Sequence, residues 1–396
     1  MSWLDEFMEA TDAAESPRAY FYWAGISAIA ASVRNRVWIN KYIYKLYPNL
    51  YILLIGKSGL RKSAPISIAK SLVDSLEVTK VIYGRASIQA IVQRLGDVEQ
   101  RNSGTIIKES SAYVVSSEFA ASLVKDDAAL TIMTDLADGH YHEDGWRNTL
   151  KGAGSDRLER PCVNLLSASN QTHFEGTVDT ASMFGGFIAR TILVVEHRKS
   201  KINDLLDEPE ILFDAKKFVP YLKKISQVKG EFTFVPKAKR LFQEWYHEFA
   251  ANDEIEDKTG TSERIHDRIL KVAMCLSLAE NLELSITEAQ MKAAMKVCIH
   301  GVSLANKATM HQGKSEMSPK TAIFIKRLVT CEPQGYKISK EMMVQREWGN
   351  MDTTDVNRIA ETLETGGIIK QELVNGEIWY TLLPKFIETF KEVSGS

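Results

Sequence analysis

The sequence predicts an α/β fold: a mostly parallel sheet core, with helical regions before and after it and a C-terminal winged helix. Three observations predict it. Between residues 50 and 198, short apolar runs alternate with helical patterns. One run opens into the loop GKSGLRKS, and a helical pattern follows. Residues 318–396 read as three helices and a hairpin turned at Asn375-Gly376, a strong turn dipeptide.

In chain order, residues 1–45 form a helical lead-in. A short acidic amphipathic piece comes first, Ser16-Pro17 reads as a cap-and-start signal, and the apolar run Ala19–Val33 reads as a buried helix. Val37–Tyr47 is rich in β-branched and aromatic residues and reads as a strand or hairpin. Residues 46–200 hold five strand candidates: Leu50–Ile55, Val78–Tyr83, Ala112–Ser116, Cys162–Ser167 and Thr191–Glu196. Each is short, apolar and β-rich, and helical stretches lie between several of them, the mark of a buried, mostly parallel sheet. A polar linker, HRKSKINDLLDEPE, leads into a helical region at 201–312, with periods at Pro236–Ala251, Ser262–Ala279 and Thr287–Ala308. A second polar linker, HQGKSEMS, precedes the winged helix, whose helices are expected at Pro319–Thr330, Ser339–Trp348 and Thr353–Glu364.

Composition excludes several classes. Lys+Arg number 49 and Asp+Glu 51, a net charge of −2, so the chain is no polycation and any nucleic-acid contact must be local. The four cysteines contain no CxxC pair, which argues against a disulfide framework or zinc ribbon and for a reducing cytoplasm. The acidic N-terminus lacks a basic n-region. The longest apolar run falls short of the roughly 20 residues that span a bilayer, so no membrane partner is expected.

The loop at 56–63 carries the most chemistry. It fits the phosphate-loop (Walker A) pattern G-x-x-x-x-G-K-[ST] except that Arg61 stands where the pattern has glycine. Loop N–H groups and a helix N-terminus would meet the phosphates of ATP. Gly56, Ser58, Gly59, Arg61, Lys62 and Ser63 are the expected binding residues. Lys62 would neutralise the β/γ oxygens and the Ser63 hydroxyl would ligate Mg²⁺. The plain alternative is an ordinary Ser/Gly/Lys turn.

Two later strands end in polar residues. YVVSSE ends at Glu118, placed to polarise an attacking water beside Mg²⁺, with Ser117 before it. The alternative for Glu118 is an acid stabilised by a helix N-terminus. The strand from Val163 runs to Asn170, either a holder of water or γ-phosphate or a turn residue. Arg190 opens the strand TILVV, and reads either as an arginine finger reaching a neighbouring subunit's phosphate or as a structural ion pair. His140, His142 and Asp144 have weak metal-ligand spacing, and no structural metal is expected.

These four elements, in this order, resemble the superfamily-3 type of AAA+ helicase. More closely, they resemble the ATPase part of phage and mobile-element replication proteins of the primase-helicase kind. The resemblance spans roughly residues 20–310 and includes RIHDRILKVAMCLSLAE, which is similar to the family's helical tail. It implies a ring-forming, hexameric ATP-dependent DNA helicase or translocase in a bacterial or phage-infected cell. Lys62, Ser63, Glu118 and Asn170 would act in cis and Arg190 in trans. It also implies a pore hairpin gripping single-stranded DNA just before the Asn170 strand. Here Trp146 would stack a base while Arg147, Lys151 and Arg157 meet phosphates. Across 143–160, however, four basic residues face four acidic ones. The alternative is an ATP-switched helicase loader or replication initiator. The third helix of the winged helix carries Asp352, Asp355, Glu361 and Glu364 against Arg358, which favours docking of a replication protein there over DNA.

Overall fold

The computed structural model describes residues 1–119, 127–139, 145–150, 154–171, 174, 186–202, 213–251, 262–309 and 317–387. The chain divides into two compact units, Met1–Met310 and His311–Ser396.

The first unit is built on a five-stranded, all-parallel sheet. Its strands are β3 (Tyr51–Ile55), β4 (Lys80–Tyr83), β7 (Ser111–Ser116), β10 (Cys162–Ser169) and β11 (Thr191–Val195), in spatial order β11-β3-β10-β7-β4. The first strand in sequence therefore lies between the fourth and the fifth. Every residue of β3, β7, β10 and β11 is buried, as suits mostly apolar strands covered on both faces. Alternate residues feed two cores. Ile52, Leu54, Val115, Leu166 and Val194 join one, with α2 (Arg18–Val33), α3 (Ser63–Asp74) and α9 (Ile265–Glu280). Leu53, Ile55, Val114, Leu165 and Val195 join the other, with α4 (Ile88–Gly96) and α5 (Asp127–Ala137). Burying one such side chain contributes roughly 2 kcal/mol.

The lead-in belongs to this unit. Helix α1 (Trp3–Ala10) and the nearly all-buried α2 lie in the first core. Ser16 does not cap α2: Pro17 holds the cap position, with no side-chain cap bond. The Ser16 hydroxyl instead donates to the Arg61 carbonyl at 3.0 Å. The hairpin β1 (Val37–Lys41) and β2 (Tyr44–Leu46) is joined by the short β12 (Gly230–Glu231), which pairs parallel with β1. The later helices α7 (Val219–Gln227), α8 (Pro236–Ala250) and α10 (Glu288–Thr309) are part of the same unit as the sheet. The remaining short pairs are β5 (Glu99–Gln100) with β6 (Ile106–Ile107), and β13 (Thr233–Phe234) with β14 (Ser285–Ile286). Among the described residues, no helix is long and apolar enough to cross a membrane.

The second unit runs helix, strand, helix, helix, strand, strand. Its elements are α11 (Met317–Thr330), β15 (Lys337–Ser339), α12 (Lys340–Glu347), α13 (Thr353–Thr365), β16 (Ile369–Val374) and β17 (Glu377–Leu382). The strands form an antiparallel sheet in order β15-β17-β16. Asn375 and Gly376 turn the last hairpin at φ 55° and 84°, the left-handed pair that a two-residue turn demands.

Candidate functional site

Parallel register gathers the candidate residues. Ile55 of β3 pairs with Ser169 of β10, and Ser167 of β10 pairs with Ser116 of β7. The three carboxyl ends therefore lie side by side, and the loops leaving them share one edge of the sheet. Such an edge is where open α/β sheets hold ligands. Two bonds fix the alignment: Gly56 N–H donates to Ser169 O at 3.4 Å, and Ser167 Oγ donates to Ser116 O at 2.9 Å.

A cavity of about 360 Å³ opens on this edge. Ser58, Gly59, Arg61, Lys62, Ser63, Ser117, Glu118, Ser169 and Asn170 line it. Gly56 sits beneath. A Cβ there would come within 2.5 Å of Tyr20 Oη and 2.6 Å of Glu196 O, so only glycine fits. Gly59 at φ 91° and Arg61 at φ 54° both occupy the left-handed region, so Arg61 holds the glycine-like conformation of the residue it replaces.

Lys62 holds the N-cap position of α3 and Ser63 is that helix's first residue, and both line the cavity, so the helix N-terminus borders it. The Lys62 ammonium donates to Gly56 O at 2.6 Å and Lys57 O at 2.9 Å, curling back over the loop. Burial lowers its pKa. At the end of β7, Glu118 N–H donates to Ser116 Oγ at 3.2 Å, and that hydroxyl donates back to Glu118 O at 3.1 Å. At the end of β10, Asn170 O accepts Ser169 Oγ at 3.1 Å and Phe174 N–H at 2.8 Å. One hydroxyl, Ser63, and one carboxylate, Glu118, suit Mg²⁺, which keeps several waters and takes few protein ligands. Among the described residues, no three His, Cys, Asp or Glu side chains gather as a metal site.

Arg190 lies elsewhere. It ends α6 (Phe187–Arg190) directly before β11, whose Thr191 pairs with Tyr51 at the start of β3. That is the amino end of the sheet, opposite the cavity. Its Nε bonds Asp138 Oδ2 at 2.9 Å, its Nη2 contacts the same oxygen, and its Nη1 donates to Gly186 O at 2.9 Å. Arg264 Nη1 reaches the same Asp138 oxygen at 3.4 Å. Lys271 donates to Asn49 Oδ1 at 2.9 Å nearby, and burial lowers its pKa. In the single chain, Arg190 is thus in the ion pair that the sequence left open as its second reading.

The hairpin before β10 forms as expected, with β8 (Trp146–Leu150) antiparallel to β9 (Gly154–Leu158). Its Trp146 corrects the expectation. The ring is 4 % exposed and packs in the second core, so it is closed to base stacking. Arg147 and Arg157 are exposed. Lys151, His140, His142 and Asp144 lie outside the described residues.

The sequence does not point to the roles of four residues. Ser169 lines the cavity, although in the polar end of its strand the sequence singles out only Asn170. Asp138 partners Arg190 from 52 residues away. Glu15 and Ser16 touch the loop from the lead-in. No local pattern marks any of them. No family model matches the chain, and no curated protein matches it in sequence.

Proposed function

We propose that this chain binds and hydrolyses ATP with Mg²⁺, and works as a ring-forming motor on single-stranded DNA in the replication of a phage or mobile element. One observation carries the nucleotide reading. A phosphate-loop sequence, a helix N-terminus, Glu118 and Asn170 converge on one 360 Å³ cavity at the carboxyl ends of three neighbouring parallel strands. Lys62 and the first turn of α3 bind the β- and γ-phosphates, and Gly59 and Arg61 give the loop its curl. Ser63 and Glu118 hold the magnesium side. Glu118 orients the attacking water and Asn170 positions it against the γ-phosphate. Arg190 stands at the opposite end of the sheet in its ion pair with Asp138, so any part it takes in hydrolysis is at a neighbouring subunit's cavity. A hexamer is the proposed assembly.

A second reading has its own support. With Trp146 buried, the described residues of the hairpin offer Arg147 and Arg157 to single-stranded DNA, without a base-stacking ring. In the second unit, Trp348 is 81 % exposed and Leu373 73 %, apolar groups suited to a protein partner. An ATP-switched loader or initiator, with residues 311–396 as a winged-helix docking module, fits these features.

Steady-state ATP hydrolysis with and without single-stranded DNA separates the two, with Lys62→Ala as the blank. Several-fold stimulation lost in K62A supports the motor. Hydrolysis indifferent to DNA supports the switch. Hydrolysis unaffected by K62A removes the nucleotide site.

A further inference from the structure

Resting on the phosphate-loop reading, we propose that Glu15 and Ser16 are positioning residues for the nucleotide: they clasp Arg61 and hold the loop in its anion-binding shape. Arg61 takes φ 54°, a conformation that glycine adopts freely and a side chain does not. Contacts from outside the loop reach it there. Its carbonyl accepts the Ser16 hydroxyl at 3.0 Å as well as Ala64 N–H at 3.1 Å. Its Nε lies 3.2 Å from Glu15 Oε2. Backbone and side chain of the same residue are therefore gripped by two consecutive residues of the α1–α2 connection.

The clasp is itself anchored. Glu15 Oε1 meets Lys199 Nζ at 2.8 Å, on the segment that leaves β11. Ser200 N–H donates to Glu15 O at 3.2 Å, and Ser200 Oγ accepts Arg18 N–H at 2.8 Å. Ser16 is 2 % exposed and the Glu15 side chain 12 %, whereas the Arg61 side chain is 62 % exposed, so the backbone grip by Ser16 is buried and the Glu15 pair closes over the loop from the surface side. Glu15 joins the loop after β3 to the segment after β11, the two neighbours at that edge of the sheet. A glycine at position 61 would need none of this, whereas an arginine needs both grips.

The test is a double-mutant cycle read as the dissociation constant of a fluorescent ATP analogue with Mg²⁺. The proteins are wild type, S16A, E15Q, R61G, the doubles S16A/R61G and E15Q/R61G, and K62A, each with its thermal midpoint. S16A and E15Q are expected to weaken binding by about threefold to tenfold, the worth of one hydrogen bond. In the R61G background the same substitutions are expected to change it by less than about twofold, because glycine holds the loop shape unaided. A merely structural role gives no such rescue. Equal weakening in both backgrounds overturns the clasp, as does no weakening in the wild-type background. If S16A does not fold, E15Q, which keeps size and loses only charge, carries the comparison. A wild-type chain that binds no analogue, or K62A binding as well as wild type, overturns the phosphate-loop reading and the clasp with it.

Discussion

Gly56 has no room for a methyl group, since Tyr20 Oη, Glu196 O and Leu60 Cδ1 all stand within 2.6 Å of a Cβ there. Tyr20 is itself fixed by donating to Ile55 O at 2.7 Å. Gly56→Ala is therefore expected to lower stability by roughly 1–3 kcal/mol, read by denaturant melts, and to abolish nucleotide binding by displacing the loop. An unchanged affinity would separate Gly56 from the site. Glu196 beside it supplies a pH test. Burial raises its carboxyl pKa, with His197 and His300 pulling the other way. The folded state then holds the proton longer than the unfolded one, so this contribution is intact below the ordinary carboxylate range and fades as pH rises through the raised value. Glu196→Gln is expected to flatten that decline, giving a thermal midpoint above wild type near pH 7 and equal to it near pH 4. A parallel pair of pH profiles would contradict it. Gly56, Lys62 and Ser63 were legible in the sequence because a phosphate loop is one short contiguous text. Ser16, Glu15 and Asp138 were not, because their partners lie 45, 46 and 52 residues away.

Among the elements, the hairpin β8–β9 separates two roles that its sequence leaves together. Alternation along β8 puts Trp146 and Arg147 on opposite faces, but alternation alone does not say which face is buried. The second core decides, taking the Trp146 ring and leaving Arg147 to solvent. Trp146→Ala is expected to cost about 3–5 kcal/mol of stability. Arg147→Ala is expected to leave stability within about 0.5 kcal/mol while weakening single-stranded DNA binding. Denaturant melts beside a DNA titration check both, and a stable W146A with weakened DNA affinity would reverse the assignment. The five core strands were legible for the opposite reason. Short and mostly apolar, with four of them buried along their whole length, they need no partner to be recognised. The parallel pairing of β1 with β12, from Val37 to Gly230, was invisible because two-residue strands carry no periodicity.

On the scale of the whole molecule, the sheet separates the cavity from Arg190. The cavity stands at the carboxyl edge and Arg190 at the amino edge. An inter-subunit site would use one end from each of two chains. R190A is then expected to bind Mg-ATP within about twofold of wild type yet turn it over at least about tenfold more slowly. Mixing R190A with K62A is expected to restore part of the activity, since each chain supplies what its neighbour lacks. A mixture as inactive as its components would return Arg190 to the Asp138 ion pair alone. Residues 1–310 form one compact unit, so that fragment is expected to keep nucleotide affinity without 311–396. The most direct test of the central claim is a calorimetric titration of Mg-ATP into the full chain and into K62A. One ATP bound per chain, with affinity at least about tenfold weaker in K62A, is the predicted result. Absent heat in the wild-type chain, or equal affinity in the two, would contradict a phosphate-binding loop at residues 56–63.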